Sequence, residues 1–254
     1  DGLNSEQARL CTVYLDDFQR AGVSLVLEAR NQVTEINKRL SVLYTQFSNR
    51  LLADEEHYVH YLDATQLSGL SSDYCAAAAT AASAQGRPGT WAILNTRSSV
   101  EPFLASSEER DLREQVWRTF VSRGDNNDDN DTKELVKEIL SLRRERANLL
   151  GFETHAHLQL SNTMAQNPKS ALALMHQVWD AAVVKFQAEI SALQKLADDR
   201  GDGITIAPWD VRYYAAQLRS ASYSLDPAEV QQYYQLDELV AGMFWAATQN
   251  HGWT

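Results

Sequence analysis

Apolar positions recur along this chain at alternating spacings of three and four, the period of a helix with one buried stripe. Val33, Ile36, Leu40, Leu43 and Phe47 form the clearest series, within a helix expected over residues 25–53. Such a heptad-like seam is what one long helix presents to another. A second series, Leu172, Met175, Trp179, Val183, Phe186, Ile190, Leu193 and Leu196, marks one face of a helix over residues 168–200. Asn167 precedes it as N-cap, Pro168 takes its first position and Gly201 ends it. Its length would be roughly 45 Å.

Shorter helices are expected between these. Residues 5–21 are amphipathic and end at Gly22, and the alanine-rich residues 71–85 stop at Gly86. Residues 107–122 carry Leu112, Val116 and Phe120 on one face. Asp131, three residues before Glu134, predicts a capping box for a helix ending at Leu150 and Gly151. Pro208 opens a helix to about residue 221. Asp226, Pro227 and Glu229 repeat the capping pattern, and residues 235–249 form a last helix. Residues 54–64 read as a helix tail or an extended segment. The one good strand is 90–94, paired with 58–62 as a small hairpin. The expected fold is all-α, a long-helix bundle with at most that hairpin. It forms a single helical region over 1–254, with sub-units at 1–125 and 126–254.

Composition agrees. Glycine (11) and proline (5) are sparse, and the 254 residues are 44% hydrophobic. A net charge of −11 with no strongly basic stretch argues against nucleic acid and anionic membrane surfaces. No apolar run reaches the 18 or so residues of a membrane span, and no basic-then-apolar leader opens the sequence. Cys11 and Cys75 are far apart and read as buried, reduced thiols. A cytoplasmic location is therefore expected.

Chemistry is harder to find. Asp125, Asn127 and Asp129 alternate like the first ligands of a calcium loop. Asn130 stands where that loop needs glycine, and Val136 where it needs a bidentate glutamate, so a solvated loop that caps a helix is the better reading. His57 and His60 could share a face but lack a third ligand nearby in sequence, and His155 and His157 point apart on a helix. The six histidines include none followed by glutamate, so a His-Glu-x-x-His zinc site is absent from the sequence. Neither a nucleophile elbow nor a phosphate loop occurs. Residue chemistry alone assigns no catalytic residue, metal ligand or cofactor.

Three stretches carry the reading further. The segment IAPWDVRYYAAQLRSASYSLD, residues 206–226, resembles the Pro-Trp-Asp, Tyr-Tyr segment of the thimet oligopeptidase, oligopeptidase A and dipeptidyl carboxypeptidase family. Pro208, Trp209, Asp210, Tyr213, Tyr214, Arg219, Tyr223 and Asp226 match that pattern. Residues 132–160 are similar to the family's Leu-Arg-x-Glu-Arg-Ala-x-Leu-Leu-Gly helix, with Met164 and Ala165 following. Residues 35–54 and 113–125 match in order and spacing. The resemblance covers about residues 3–252, and residues 125–130 and 225–234 lean toward the dipeptidyl carboxypeptidase branch.

The resemblance implies zinc peptidases with two helical lobes and a deep channel that admits short peptides. In that family the zinc motif lies C-terminal of the Pro-Trp-Asp segment, so no catalytic or metal-ligating residue can be carried over. The expectation is a helical, non-catalytic portion of a zinc-dependent oligopeptidase or peptidyl-dipeptidase, inactive alone. Zinc and short peptides would belong to the complete parent, and the partner would be a C-terminal catalytic part. The alternative is a stand-alone peptide- or protein-binding module. Trp209, Asp210, Tyr213 and Tyr214 have two readings: wall of the peptide channel, or aromatic packing around a helix start. Leu239, Val240, Met243, Phe244, Trp245 and Trp253 crowd the last segment. This predicts an exposed apolar patch and a homodimer through it.

Overall fold

The computed structural model describes residues 2–223, 230 and 232–253. Helix α1 (Ser5–Arg20) opens on a capping box: the Gln7 N–H donates to the Asn4 side chain, and the Asn4 N–H donates to that of Gln7. Gly22, at φ +93°, turns the chain toward α2 (Leu27–His57). The periodic seam finds its partner in α6 (Lys133–Leu149). Ile36, Leu40 and Leu43 of α2 bury against Leu135 and Ile139 of α6, with Phe47, Leu142 and Leu149 at the margin.

Strand β1 (His60–Leu62) pairs antiparallel with β2 (Trp91–Ile93), in the register His60 to Ile93 and Leu62 to Trp91. Helix α3 (Ser72–Ala84) lies between them in sequence, so the expected pairing forms without a tight hairpin. Helix α4 (Arg97–Ser106) was not read from the sequence, and Pro102 sits inside it. An interior proline costs about 3 kcal/mol. The same helix buries Val100, Phe103 and Leu104, each favourable by about 1.5–3 kcal/mol. These three side chains, with Leu62, Ile93 and Val116 of α5 (Arg110–Val121), form the core around the strands. Burial therefore outweighs the proline.

Two local expectations are corrected. The capping box at Asp131 does not form: Thr132 is the N-cap of α6 and caps with no side-chain bond. Asp131 instead accepts from the Lys133 N–H at 2.9 Å and the Asn127 N–H at 3.0 Å. The Lys133 ammonium bonds Asp125, Asn127 and Asp131, so the acidic loop closes on the protein's own cation. The cysteines are free but not buried: Cys11 is exposed and Cys75 half-buried.

Helix α7 (His155–Leu160) leads to α8 (Pro168–Arg200), which starts and stops as expected. Asn167 Oδ1 accepts from the Ser170 N–H at 2.9 Å, and Gly201 caps the far end at φ +76°. Among the described residues, α8 buries side chains only in its C-terminal part. Leu193 and Ala197 form a third core with Tyr213 and Tyr214 of α9 (Val211–Tyr223). Leu172, Met175, Trp179 and Phe186 are exposed. The last helix, α10 (Leu236–His251), has no buried residue. The capping pattern at Asp226, Pro227 and Glu229 lies outside the described residues. The all-α expectation holds, and among the described residues no helix is long and apolar enough to cross a membrane.

Candidate functional site

The turn that starts α9 gathers a buried polar cluster. The Asp210 N–H donates to Ala207 O at 2.9 Å, and the Ala207 N–H donates back to Asp210 Oδ2 at 3.1 Å. This pins the carboxylate under the turn, fully out of solvent. Helix α5 supplies its counter-charges. Arg113 Nη2 donates to Asp210 Oδ1 at 2.9 Å, and Arg110 Nη2 donates to Oδ2 at 2.9 Å. Arg113 is itself 2% exposed and anchors its second branch on Ser107 O at 2.8 Å. Burial by itself pushes the Asp210 carboxyl up; the bonds from Arg110, Arg113 and the Ala207 N–H overcome it and hold the group below the usual carboxylate range.

Aromatic rings complete the cluster. The Arg113 guanidinium lies 4.3 Å from the centre of the Tyr213 ring, and Tyr213 meets Tyr214 edge-on at 5.2 Å. Trp209 packs on Trp117 at 5.8 Å, with the Arg118 guanidinium 4.9 Å from its ring centre. Tyr214 donates to Asp202 at 2.7 Å; burial, reinforced by that carboxylate, pushes its hydroxyl up to about 12. Gln194 of α8 holds the strand-like approach, accepting from the Ile206 N–H and donating to Ile204 O.

Chemically this is a clamp. Both Asp210 oxygens are already engaged, so the carboxylate has no free lone pair to act as base or ligand without breaking an ion pair. Of the four residues singled out in the sequence, Asp210, Tyr213 and Tyr214 are buried, and Trp209 alone keeps part of its surface. Sequence reasoning missed Arg110 and Arg113. Arg113 begins a segment recognised by resemblance, yet no local signal pairs it with a carboxylate 97 residues away. Beside the clamp, an open cleft of about 500 Å³ runs between α8 and α9. Phe186, Leu193, Val211, Leu218 and Tyr223 line it, with Arg219 at its edge.

The histidines stay apart from this cluster. His57 is exposed at the end of α2, while His60 bonds Thr119 Oγ1 at 2.8 Å and is held below the usual histidine range by burial. Among the described residues no group of three or more His, Cys, Asp and Glu side chains is placed to hold a metal ion. Among the described residues a zinc ion therefore has no fitting ligand set, and no catalytic step is assigned through one.

These features define a class: a helical unit with a buried ion-pair cluster at the start of α9 and with large apolar side chains exposed on α1, α8 and α10. The model of peptidase family M3 matches residues 103–252, more than half of the chain. This chain belongs to peptidase family M3. It is 32% identical over 253 residues to the dipeptidyl carboxypeptidase of Escherichia coli K12, covering 99% of this chain and 37% of that protein. The Salmonella typhimurium dipeptidyl carboxypeptidase is 32% identical over 255 residues, covering 100% and 38%. The Escherichia coli oligopeptidase A is 29% identical over 257 residues, covering 99% and 38%. The chain thus spans well under half the length of these relatives, along its own entire length.

Proposed function

We propose that this chain is the helical, non-catalytic portion of a zinc-dependent oligopeptidase or peptidyl-dipeptidase that hydrolyses short peptides. One observation carries the reading. The chain exposes 17614 Å² of surface. A compact monomer of 28.5 kDa exposes about 11,000 Å², so the excess is on the order of 6,000 Å². A standard protein–protein contact needs only about 800 Å² per partner. The exposed large apolar side chains concentrate on α1, α8 and α10, including Phe18, Trp179, Phe244 and Trp245. An excess of this size calls for a partner of domain scale. Relatives named for peptide cleavage, each more than twice as long, supply the chemical class.

In this reading the zinc and its ligands lie on the partner part. Of the four residues singled out, Trp209 is the one with surface to offer a peptide, and Asp210, Tyr213 and Tyr214 support that wall from behind. A cytoplasmic location fits the two free cysteines.

The test is a chimera in which this chain replaces the matched stretch of the Escherichia coli dipeptidyl carboxypeptidase. The chimera should cleave a quenched short peptide in a chelator-sensitive manner, and the isolated chain supplied with zinc should not. Zinc-dependent turnover by the isolated chain, or a folded, zinc-loaded but inactive chimera, would overturn the proposal. The open α8–α9 cleft favours a second reading, a peptide- or protein-binding module without catalysis. That reading predicts peptide binding by the chain alone and an inactive chimera.

A further inference from the structure

The open cleft between α8 and α9 and the uncovered helix α10 are complementary surfaces that do not meet within the chain. The cleft has a volume of about 500 Å³ and an apolar floor, with Phe186, Ile190 and Leu193 on one side and Val211, Leu218 and Tyr223 on the other. Helices α8 and α9 leave the same turn at residues 201–210, so Lys185 and Arg219 both flank the half of the cleft remote from that turn. Lys185 stands 3.8 Å from Glu189 on its own helix, and Arg219 forms no ion pair among the described residues.

Helix α10 carries the opposite character. Leu236, Leu239, Val240, Met243 and Phe244 fall at the spacing of one helical face, and all are exposed. Asp237 and Glu238 stand in the first turn, and the helix contains no lysine or arginine. The apolar face from Leu236 to Phe244 is about 12 Å long, and α9 offers about 18 Å of cleft from Val211 to Tyr223. Yet α10 buries none of its residues, and among the described residues none of its side chains lines the cleft of its own chain. Helix α1 also exposes apolar side chains, but it mixes Arg9 and Arg20 with its acids and so lacks an end of one sign.

We propose that α10 of one copy docks in the α8–α9 cleft of a second copy, with Asp237 and Glu238 toward Arg219 and Lys185, and that the exchange is reciprocal. Opposite charges at one end fix the direction in which the helix lies, because the reverse direction removes the acids from the cations. Area is sufficient. A specific contact needs about 800 Å² per partner, and in a two-fold exchange each copy offers both its cleft and its helix. Each contact then covers only about 400 Å² on each side. One buried aromatic side chain accounts for about 150–250 Å². Phe244, 62% exposed, and four large neighbours, from Val240 at 39% to Leu236 at 74%, supply the rest. This inference does not rest on the peptidase reading.

The experiment uses the full chain and two charge-reversed variants, read by sedimentation equilibrium. Lys185→Glu with Arg219→Glu reverses the cleft, and Asp237→Lys with Glu238→Lys reverses the helix. All four side chains are exposed, and circular dichroism checks that both variants fold. The unaltered chain should dimerise, and each variant alone should do so more weakly by about tenfold or more. An equimolar mixture should restore the dimer. The reversed cleft then meets the reversed helix, and the unaltered cleft of one variant meets the unaltered helix of the other. If either double variant does not fold, Arg219→Glu and Asp237→Lys repeat the test as single changes. Variants that dimerise alone as tightly as the unaltered chain would overturn the inference, since apolar contact elsewhere would then drive association. So would a mixture no tighter than its components. A chain that stays monomeric at high concentration overturns it as well, whether α10 folds into its own cleft or the cleft takes a short peptide instead.

Discussion

Arg113 and Asp210 meet at 2.9 Å, 97 residues apart in sequence and both shielded from solvent. Arg110 approaches the same carboxylate at 2.9 Å from a position about one-third exposed. The clamp joins α5 to the first turn of α9, and α9 in turn covers the end of α8.

Removing one partner should therefore be severe. Asp210→Ala leaves Arg113 buried and unpaired, and should cost about 3–5 kcal/mol in urea unfolding. The double replacement Arg113→Met with Asp210→Leu should recover a large part of that loss, because no buried charge then lacks its counterpart. A mild Asp210→Ala phenotype would show that the turn is held by other contacts.

The same pair sets an acid dependence. Asp210 has a folded pKa below its ordinary value of 3.8, so its stabilisation is fully present above that value. It is lost progressively as pH falls below 3.8 toward the folded pKa. Unfolding free energy measured from pH 5 to pH 2 should drop less steeply in Asp210→Asn than in the native protein. Parallel slopes would place the acid sensitivity in other carboxylates.

Two glycines separate strain from crowding. Gly69 and Gly86 both have positive φ, +82° and +74°. A Cβ at Gly69 would lie 2.1 Å from Ser106 O, whereas one at Gly86 meets nothing within 4 Å. Gly86→Ala should cost only about 1–2 kcal/mol of backbone strain. Gly69→Ala should cost more, because the α4 terminus must move, and the gap between their thermal midpoints measures the clash.

The uncovered face of α10 should drive association of the isolated chain. Phe244 is 62% and Trp245 67% exposed, and burying apolar area is worth about 25 cal/mol per Å² before the costs of association. Sedimentation at high concentration should show dimers or larger species. Phe244→Ser with Trp245→Ser should shift them toward monomer. A strictly monomeric native protein would count against a homodimer through this surface.

Much of the architecture was legible in residue order. The period of Val33 to Phe47 specified α2, and Asn167, Pro168 and Gly201 specified both ends of α8, because caps and amphipathic spacing are local properties of the chain. The strand pairing of 58–62 with 90–94 followed from composition, although the intervening α3 was not read as part of that unit. Helix α4 was illegible because Pro102 argues against it locally; only the burial of Val100, Phe103 and Leu104 in a core drawn from distant segments decides for it. The capping box at Asp131 failed for a related reason, since Lys133 and Asn127 competed for the same carboxylate. Resemblance identified Trp209, Asp210, Tyr213 and Tyr214 as a group, but residue order held no sign that Asp210 is saturated by Arg110 and Arg113. Nor could the apolar stripe of α8 disclose that, among the described residues, side chains are buried only at its end. Periodicity states which face of a helix is suited to burial. Whether that face is buried, and which charge meets which, depends on contacts between residues far apart in the chain, and those exist only once the chain has folded.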